Sequence, residues 1–174
     1  MKTIRTSAIL SVMVGVILLS GCATPSIAPT AASGQKIKIS VMSNRGNSDE
    51  MESRQWQYRN EIGSYMEVDL VNRLNRTGYA AQLIQSVSEY IPSADSYLVS
   101  MEITSYNPGS SVARMMVGYG AGACALDMHY IVKNGSNVLQ DWKDGIGTSS
   151  DWRRLPRALD DKLVRKLNAE LLTW

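Results

Sequence analysis

Residues 115–130 read MMVGYGAGACALDMHY, and they collect most of the side chains here that could do chemistry. Gly118, Gly120 and Gly122 recur at spacing two, followed by Cys124, Asp127 and His129, the only histidine of the chain. A phosphate cradle would need a strand, a glycine turn and then a helix N-terminus that holds the anion. Here the residues after Gly122 alternate as a strand, and neither the Walker lysine nor the dinucleotide spacing is present. A thiol nucleophile would need Cys124 beside His129. The two are an odd number of residues apart, so a strand sends them to opposite faces. Asp127 and His129 do share a face and are the pair open to hydrogen bonding, as a hydrolase or small-ligand site would need. No nucleophile accompanies them. One histidine, one free cysteine and scattered carboxylates lack metal-ligand spacing, so neither a metal nor a cofactor is expected.

The segment reads best as structure. Gly118, Gly120, Gly122, Cys124, Leu126, Met128 and Tyr130 fall on one face of a strand running to Val132. Repeated glycine weakens a strand, so its use points to close approach of another backbone or to a sharp bend.

The elements that must position this strand follow from periodicity. Lys36 to Met42 alternates with Ile37, Ile39 and Val41 on one side, a half-buried strand. Ser43 to Asn60 is polar and reads as a loop. Asn60 suits a helix N-cap, and Ile62, Met66, Leu70, Val71 and Leu74 make the apolar arc of a helix over about Glu61–Thr77 that Gly78 ends. Tyr79–Gln85 and Ser96–Tyr106 read as strands, and Asn107-Pro108-Gly109-Ser110 as a turn. Asn134-Gly135 suits a hairpin with positive φ at both central positions, returning through Asn137–Lys143. Ser149-Ser150-Asp151 precedes a last helix from Trp152 or Leu155, striped by Leu159, Leu163, Val164, Leu167 and Leu171. Asp160 breaks that stripe. Trp142 and Trp152 are expected in the core or at its rim. The order β-α-β-β-β-β-α predicts an α+β two-layer sandwich, with a mostly antiparallel sheet and both helices on one face.

The stretch Arg114-Met115-Met116-Val117-Gly118-Tyr119-Gly120-Ala121-Gly122 resembles an uncharacterised family of bacterial domains of unknown function, mostly lipoproteins, that carry an R-x-x-x-G-[FY]-G-A-G segment. That family has no assigned catalytic residues to transfer. A more distant likeness is to the curli-secretion pore lipoprotein, which implies an oligomeric pore or secretion subunit. Such a pore needs two hairpins alternating apolar-out and polar-in, and neither is evident.

The N-terminus carries an address. Lys2 and Arg5 precede an apolar run, Ala8–Leu19, that is shorter than the roughly 20 residues of a membrane-spanning helix. It ends in Leu19-Ser20-Gly21-Cys22, which resembles the lipobox of bacterial lipoproteins. The resemblance implies removal of residues 1–21 and acyl chains on Cys22. Ala23, rather than aspartate, after the cysteine favours the outer membrane. Residues 22–35 then form a lipidated flexible tether, of which the 13 residues after Cys22 reach at most about 45 Å. Residues 36–174 form a single periplasmic α+β domain.

The chain has 18 Lys+Arg against 16 Asp+Glu, and loss of Lys2 and Arg5 leaves the mature domain neutral. That argues against nucleic acid, which is bound through basic surface. With Cys22 acylated, Cys124 is alone and no internal disulfide forms. The expectation is a non-enzymatic envelope protein that touches the membrane through lipid on Cys22 and serves as an accessory or interaction module for another envelope protein.

Overall fold

The structure, a computed structural model, describes residues 28–31, 33–46, 49, 51–109 and 122–171. Cys22, Gly118, Gly120 and Trp174 lie outside these. The elements are β1 (Lys38–Asn44), α1 (Ser53–Thr77), β2 (Ala80–Leu83), β3 (Ser96–Asn107), β4 (Cys124–Asn134), β5 (Asn137–Thr148) and α2 (Arg154–Leu171), in the expected order. A short 3-10 turn, Val87–Glu89, lies between β2 and β3.

The five strands form one sheet in the order β2-β1-β3-β4-β5. β3, β4 and β5 are an antiparallel meander, which gives most of the paired length. β1 is parallel to both β2 and β3, because α1 and then residues 84–95 carry the chain back before each strand begins. Both helices cover one face. Ile39, Val41, Val99, Met101, Ile103, Leu126, Met128 and Tyr130 meet Ile62, Met66, Leu70, Leu159, Leu163 and Leu167 in a single core. Full burial of such side chains contributes about 1.5–3 kcal/mol each. Among the described residues the other face is covered over β1–β3, where Ile84, Tyr90 and Leu98 form a small second cluster.

The two helices run in the same direction. Tyr65 meets Arg157, Arg73 meets Asp161, and Tyr79 bonds Asn168, so position advances together along both. The domain therefore has two poles. One gathers the starts of β1, β2 and β3, the β4–β5 turn and the C-termini of both helices. The other gathers the ends of β1, β3 and β5, the start of β4 and both helix N-termini.

Several boundaries differ from expectation. α1 begins at Ser53, not Glu61, and its first two turns replace the expected loop. Asn60 is no cap: its side-chain oxygen accepts from Arg45. Arg59 donates to the carbonyls of Ile103 (2.7 Å) and Thr104 (3.2 Å), where the β3–β4 register shifts, and this ties the polar start of the helix to the sheet. β4 begins at Cys124, and Gly122 sits in a turn with φ of 68°, so it does not continue the strand face of Leu126 and Met128. The β4–β5 turn is centred one residue later than expected. Asn134 stays paired with Asn137, and only Gly135 has positive φ. Residues 28–31 and 33–35 of the expected tether lie on the domain. Ala31 enters the core, Thr30 bridges to Lys36, and the Ala28 amide donates to Thr77.

Candidate functional site

β4 alternates cleanly. Cys124, Leu126, Met128 and Tyr130 point to the helices, and Asp127 and His129 to the open face. Cys124 is buried, and its thiol donates to the Pro108 carbonyl at 2.9 Å. It faces away from His129, as its strand position requires.

Asp127 and His129 share a face but are not partners. His129 is held across the strands instead, with Nε2 2.7 Å from Asp141 on β5 and Nδ1 3.4 Å from Glu102 on β3. The hydrogen bond to Asp141 raises its pKa, partial desolvation opposes this, and Glu102 raises it further. Both ring nitrogens face carboxylates, so the imidazole clamps three strands. Asp127 lies opposite Ser105 and Gly145, where a Cβ would run into its carboxylate. The Asp127–His129 hydrogen bond that their shared face left open is not formed, and His129 is engaged by Asp141 and Glu102 instead. Among the described residues no three His, Cys, Asp or Glu side chains converge as a metal would require.

A second polar group lies under the helices. Asp160 is fully buried, and neither of its carboxylate oxygens has a hydrogen-bond donor. Burial pushes its pKa well above the usual carboxylate range, and Asp69 on α1 adds to this, while Arg73 opposes it. A proton held by Asp160 lets it donate to Asp69, which Arg73 already neutralises at 2.5 Å. Tyr130, also buried with an unpartnered hydroxyl, lies close enough to feel that charge. Asp160 and Tyr130 are buried and Asp69 and Arg73 only partly so, and the cluster joins the two helices.

Among the described residues, three adjoining grooves run along α1 at the helix N-terminal pole, and a separate one of about 390 Å³ lies beside β1 and β2 between Lys38, Gln82, Glu89 and Ile91. One groove of about 460 Å³ lies between Tyr58 and Arg59 of α1 and Tyr106, Asn107 and Pro108 after β3. A second, of about 440 Å³, lies between Tyr65, Val68 and Asn72 of α1 and Trp152 and Arg153. A third, of about 240 Å³, shares Tyr58, Tyr106 and Pro108 with the first and Trp152 with the second, and so joins them. The aromatic rings are fixed edge to face, Tyr58 with Tyr106 at 6.4 Å and Tyr65 with Trp152 at 5.8 Å. Arg153 lies over Trp152 at 5.0 Å and Arg157 over Tyr65 at 5.7 Å. Burial raises the Tyr106 hydroxyl pKa to about 12, with Cys124, Glu61 and Tyr58 adding to it, so it remains a neutral donor. Tyr58, Tyr65, Tyr106, Trp152 and Arg153 are of the residue types enriched at protein contact surfaces. Sequence reasoning missed this surface because Tyr58 was placed in a loop. Continued to Ser53, the helix puts Tyr58 and Tyr65 seven residues apart on one stripe.

No helix among the described residues is long and apolar enough to cross a membrane. The sequence profile of a domain of unknown function, DUF4410, matches residues 30–141. No curated protein matches the chain. Among solved structures, the PelC dodecamer from Paraburkholderia phytofirmans is similar, with 15% identity and a TM-score of 0.52 over 81% of this chain and 94% of that one. A point variant of that PelC gives 12% identity, a TM-score of 0.51 and coverage of 81% and 93%. A DUF330-family protein from Xanthomonas campestris gives 11% identity and a TM-score of 0.47, covering 86% and 95%. The PelC likeness is one of fold. The profile match covers more than half of the chain, which therefore belongs to the DUF4410 family.

Proposed function

We propose that this DUF4410 protein is a lipid-anchored protein of the bacterial outer membrane whose periplasmic domain acts as a non-enzymatic accessory or interaction module. The observation that carries the reading is Leu19-Ser20-Gly21-Cys22 at the end of the apolar run Ala8–Leu19. Two or three acyl chains on Cys22 anchor stably where one chain binds only marginally, at about 0.8 kcal/mol per buried methylene. The groove lined by Tyr58, Tyr65, Tyr106 and Trp152 supplies the surface on which an envelope partner would dock.

The test is the full chain in its own envelope. Wild type is expected in the outer-membrane fraction, with a mass that places diacylglycerol and an acylated amine on Cys22. Cys22→Ala is expected in the soluble periplasm. A wild-type chain with an unmodified thiol at Cys22, or a Cys22→Ala chain that still pellets with membranes, rejects the reading.

A second reading, an oligomeric subunit of a secretion or pore assembly, is favoured by one observation: PelC, which shares the fold, is a dodecamer. Sedimentation of the detergent-solubilised lipoprotein separates the two readings. A discrete ring-sized species supports the assembly, and a monomer supports the accessory module.

A further inference from the structure

The tether is shorter than its sequence suggests, and this decides which way the domain faces. Residues 28–31 and 33–36 are pinned at one pole by several independent contacts. The Ala28 amide donates to Thr77 at 2.9 Å, the Ser33 hydroxyl to Asp95 at 2.8 Å, and Ala31 sits in the core. The six residues from Cys22 to Ala28 span at most about 21 Å fully extended. α1 alone, at 25 residues, is about 37 Å long. An inverted domain, with the helix N-termini toward the bilayer, would hold Ala28 further from the lipid than the tether can stretch.

The pole that is left to face the membrane has the surface for it. Ile91 is 81% exposed and Val138 54%, unusual values for large aliphatic side chains. Both are fixed at this pole. The Ile91 carbonyl accepts from Ser96 at 2.9 Å, at the start of β3, and Val138 lies opposite Lys133 beside the β4–β5 turn. Pro92 packs toward Gly135 and joins the two sites. Lys36 and Lys38 are exposed around them, and Lys133 is half-buried. The carboxylates nearest this surface are engaged within the fold. Glu89 accepts from the Gln85 and Ser86 amides, and Asp95 from Ser33. Aliphatic side chains ringed by lysines match the apolar boundary and anionic headgroups of a phospholipid leaflet.

We infer that the pole carrying Ile91, Val138, Lys36 and Lys38 rests on the phospholipid leaflet in which Cys22 is anchored, and that the aromatic groove at the opposite pole is presented away from the membrane. The inference rests on acylation of Cys22, and the experiment below tests the two separately.

The full-length lipoprotein is reconstituted into phosphatidylethanolamine–phosphatidylglycerol vesicles as three samples: wild type, Ile91→Cys and Tyr58→Cys. Each is treated with an environment-sensitive thiol fluorophore. Cys22 is capped by lipid and Cys124 is buried, so wild type reports background labelling. Spin-labelled phospholipid is the quencher. Quenching at position 91 is expected to be at least threefold greater than at position 58, with a blue-shifted emission at 91 only. Equal quenching at the two positions, stronger quenching at 58, or none at 91 overturns the orientation. Intact mass of the same samples reads acylation independently. An acylated Cys22 with the wrong quenching pattern removes the orientation alone, whereas an unacylated Cys22 removes the anchor and the orientation together.

Discussion

Single residues are most informative where a polar group sits in the wrong place for its type. Asp160 interrupts the leucine stripe of α2 and is fully buried with no donor to its oxygens. Its folded pKa lies well above the usual carboxylate range, chiefly through burial and then through Asp69. A raised pKa favours the folded state below the unfolded value, and that contribution is lost as pH rises through the folded value. At neutral pH the site is therefore a liability, since the chain must either hold a proton there or bury a charge against Asp69. Asp160→Asn keeps the shape and supplies an amide donor toward Asp69 without a titrating proton. It is expected to stabilise the domain at pH 8 by about 1–3 kcal/mol, the cost of an unsatisfied buried polar group. The gain in melting temperature should shrink toward pH 4, and a gain independent of pH would mean that ionisation is not its source. His129 is the opposite case, a titrating group on the open face that Asp141 and Glu102 favour when charged.

At the scale of elements, two stretches of backbone come closest where the chain leaves β3 and re-enters β4. Gly109 has φ of 74°, and a Cβ there would overlap the Gly122 carbonyl. Gly109→Ala is expected to cost about 1–3 kcal/mol, since overpacking adds to a backbone region that side chains disfavour. A chemical-denaturation midpoint unchanged from wild type would contradict this. The close approach expected of Gly118 and Gly120 falls on residues outside those described, whereas the one at Gly109 was not expected, although its role as a turn was plain from Asn107-Pro108-Gly109. The core stripes of α1 and α2 and the alternation of β1, β3 and β4 were legible, because burial on one face leaves a period in the sequence. The first turns of α1 were not. SRQWQYRN has no apolar period, and the helix there is held by Arg59 reaching carbonyls on β3, a contact 44 residues distant in sequence. The aromatic groove was illegible for the same reason, since its rings come from α1, the end of β3 and the approach to α2. His129 appeared in the sequence beside Asp127, yet its partners stand on two other strands.

For the whole molecule, the parallel course of the helices fixes two unlike poles, and the docking of residues 28–36 ties the chain entry to one of them. Ala31 is the part of that segment which enters the core. Ala31→Asp should undock the segment, because a buried unpaired carboxylate is more costly than the contacts it replaces. The freed chain would lengthen the reach from Cys22 to the domain by about 30 Å at full extension. Quenching by membrane spin label should then fall at position 91 while the acylated mass stays the same. A quenching pattern identical to that of the parent would show that residues 28–36 do not set the orientation.

The meeting of Gly109 and Gly122 has one more consequence. The backbones touch at the neck of the chain between β3 and β4, so the sheet itself closes whatever length is strung beyond them. Doubling that length would raise the entropy of closure by only about 0.6 kcal/mol. Closure entropy by itself therefore places only a weak limit on the number of residues between the two glycines.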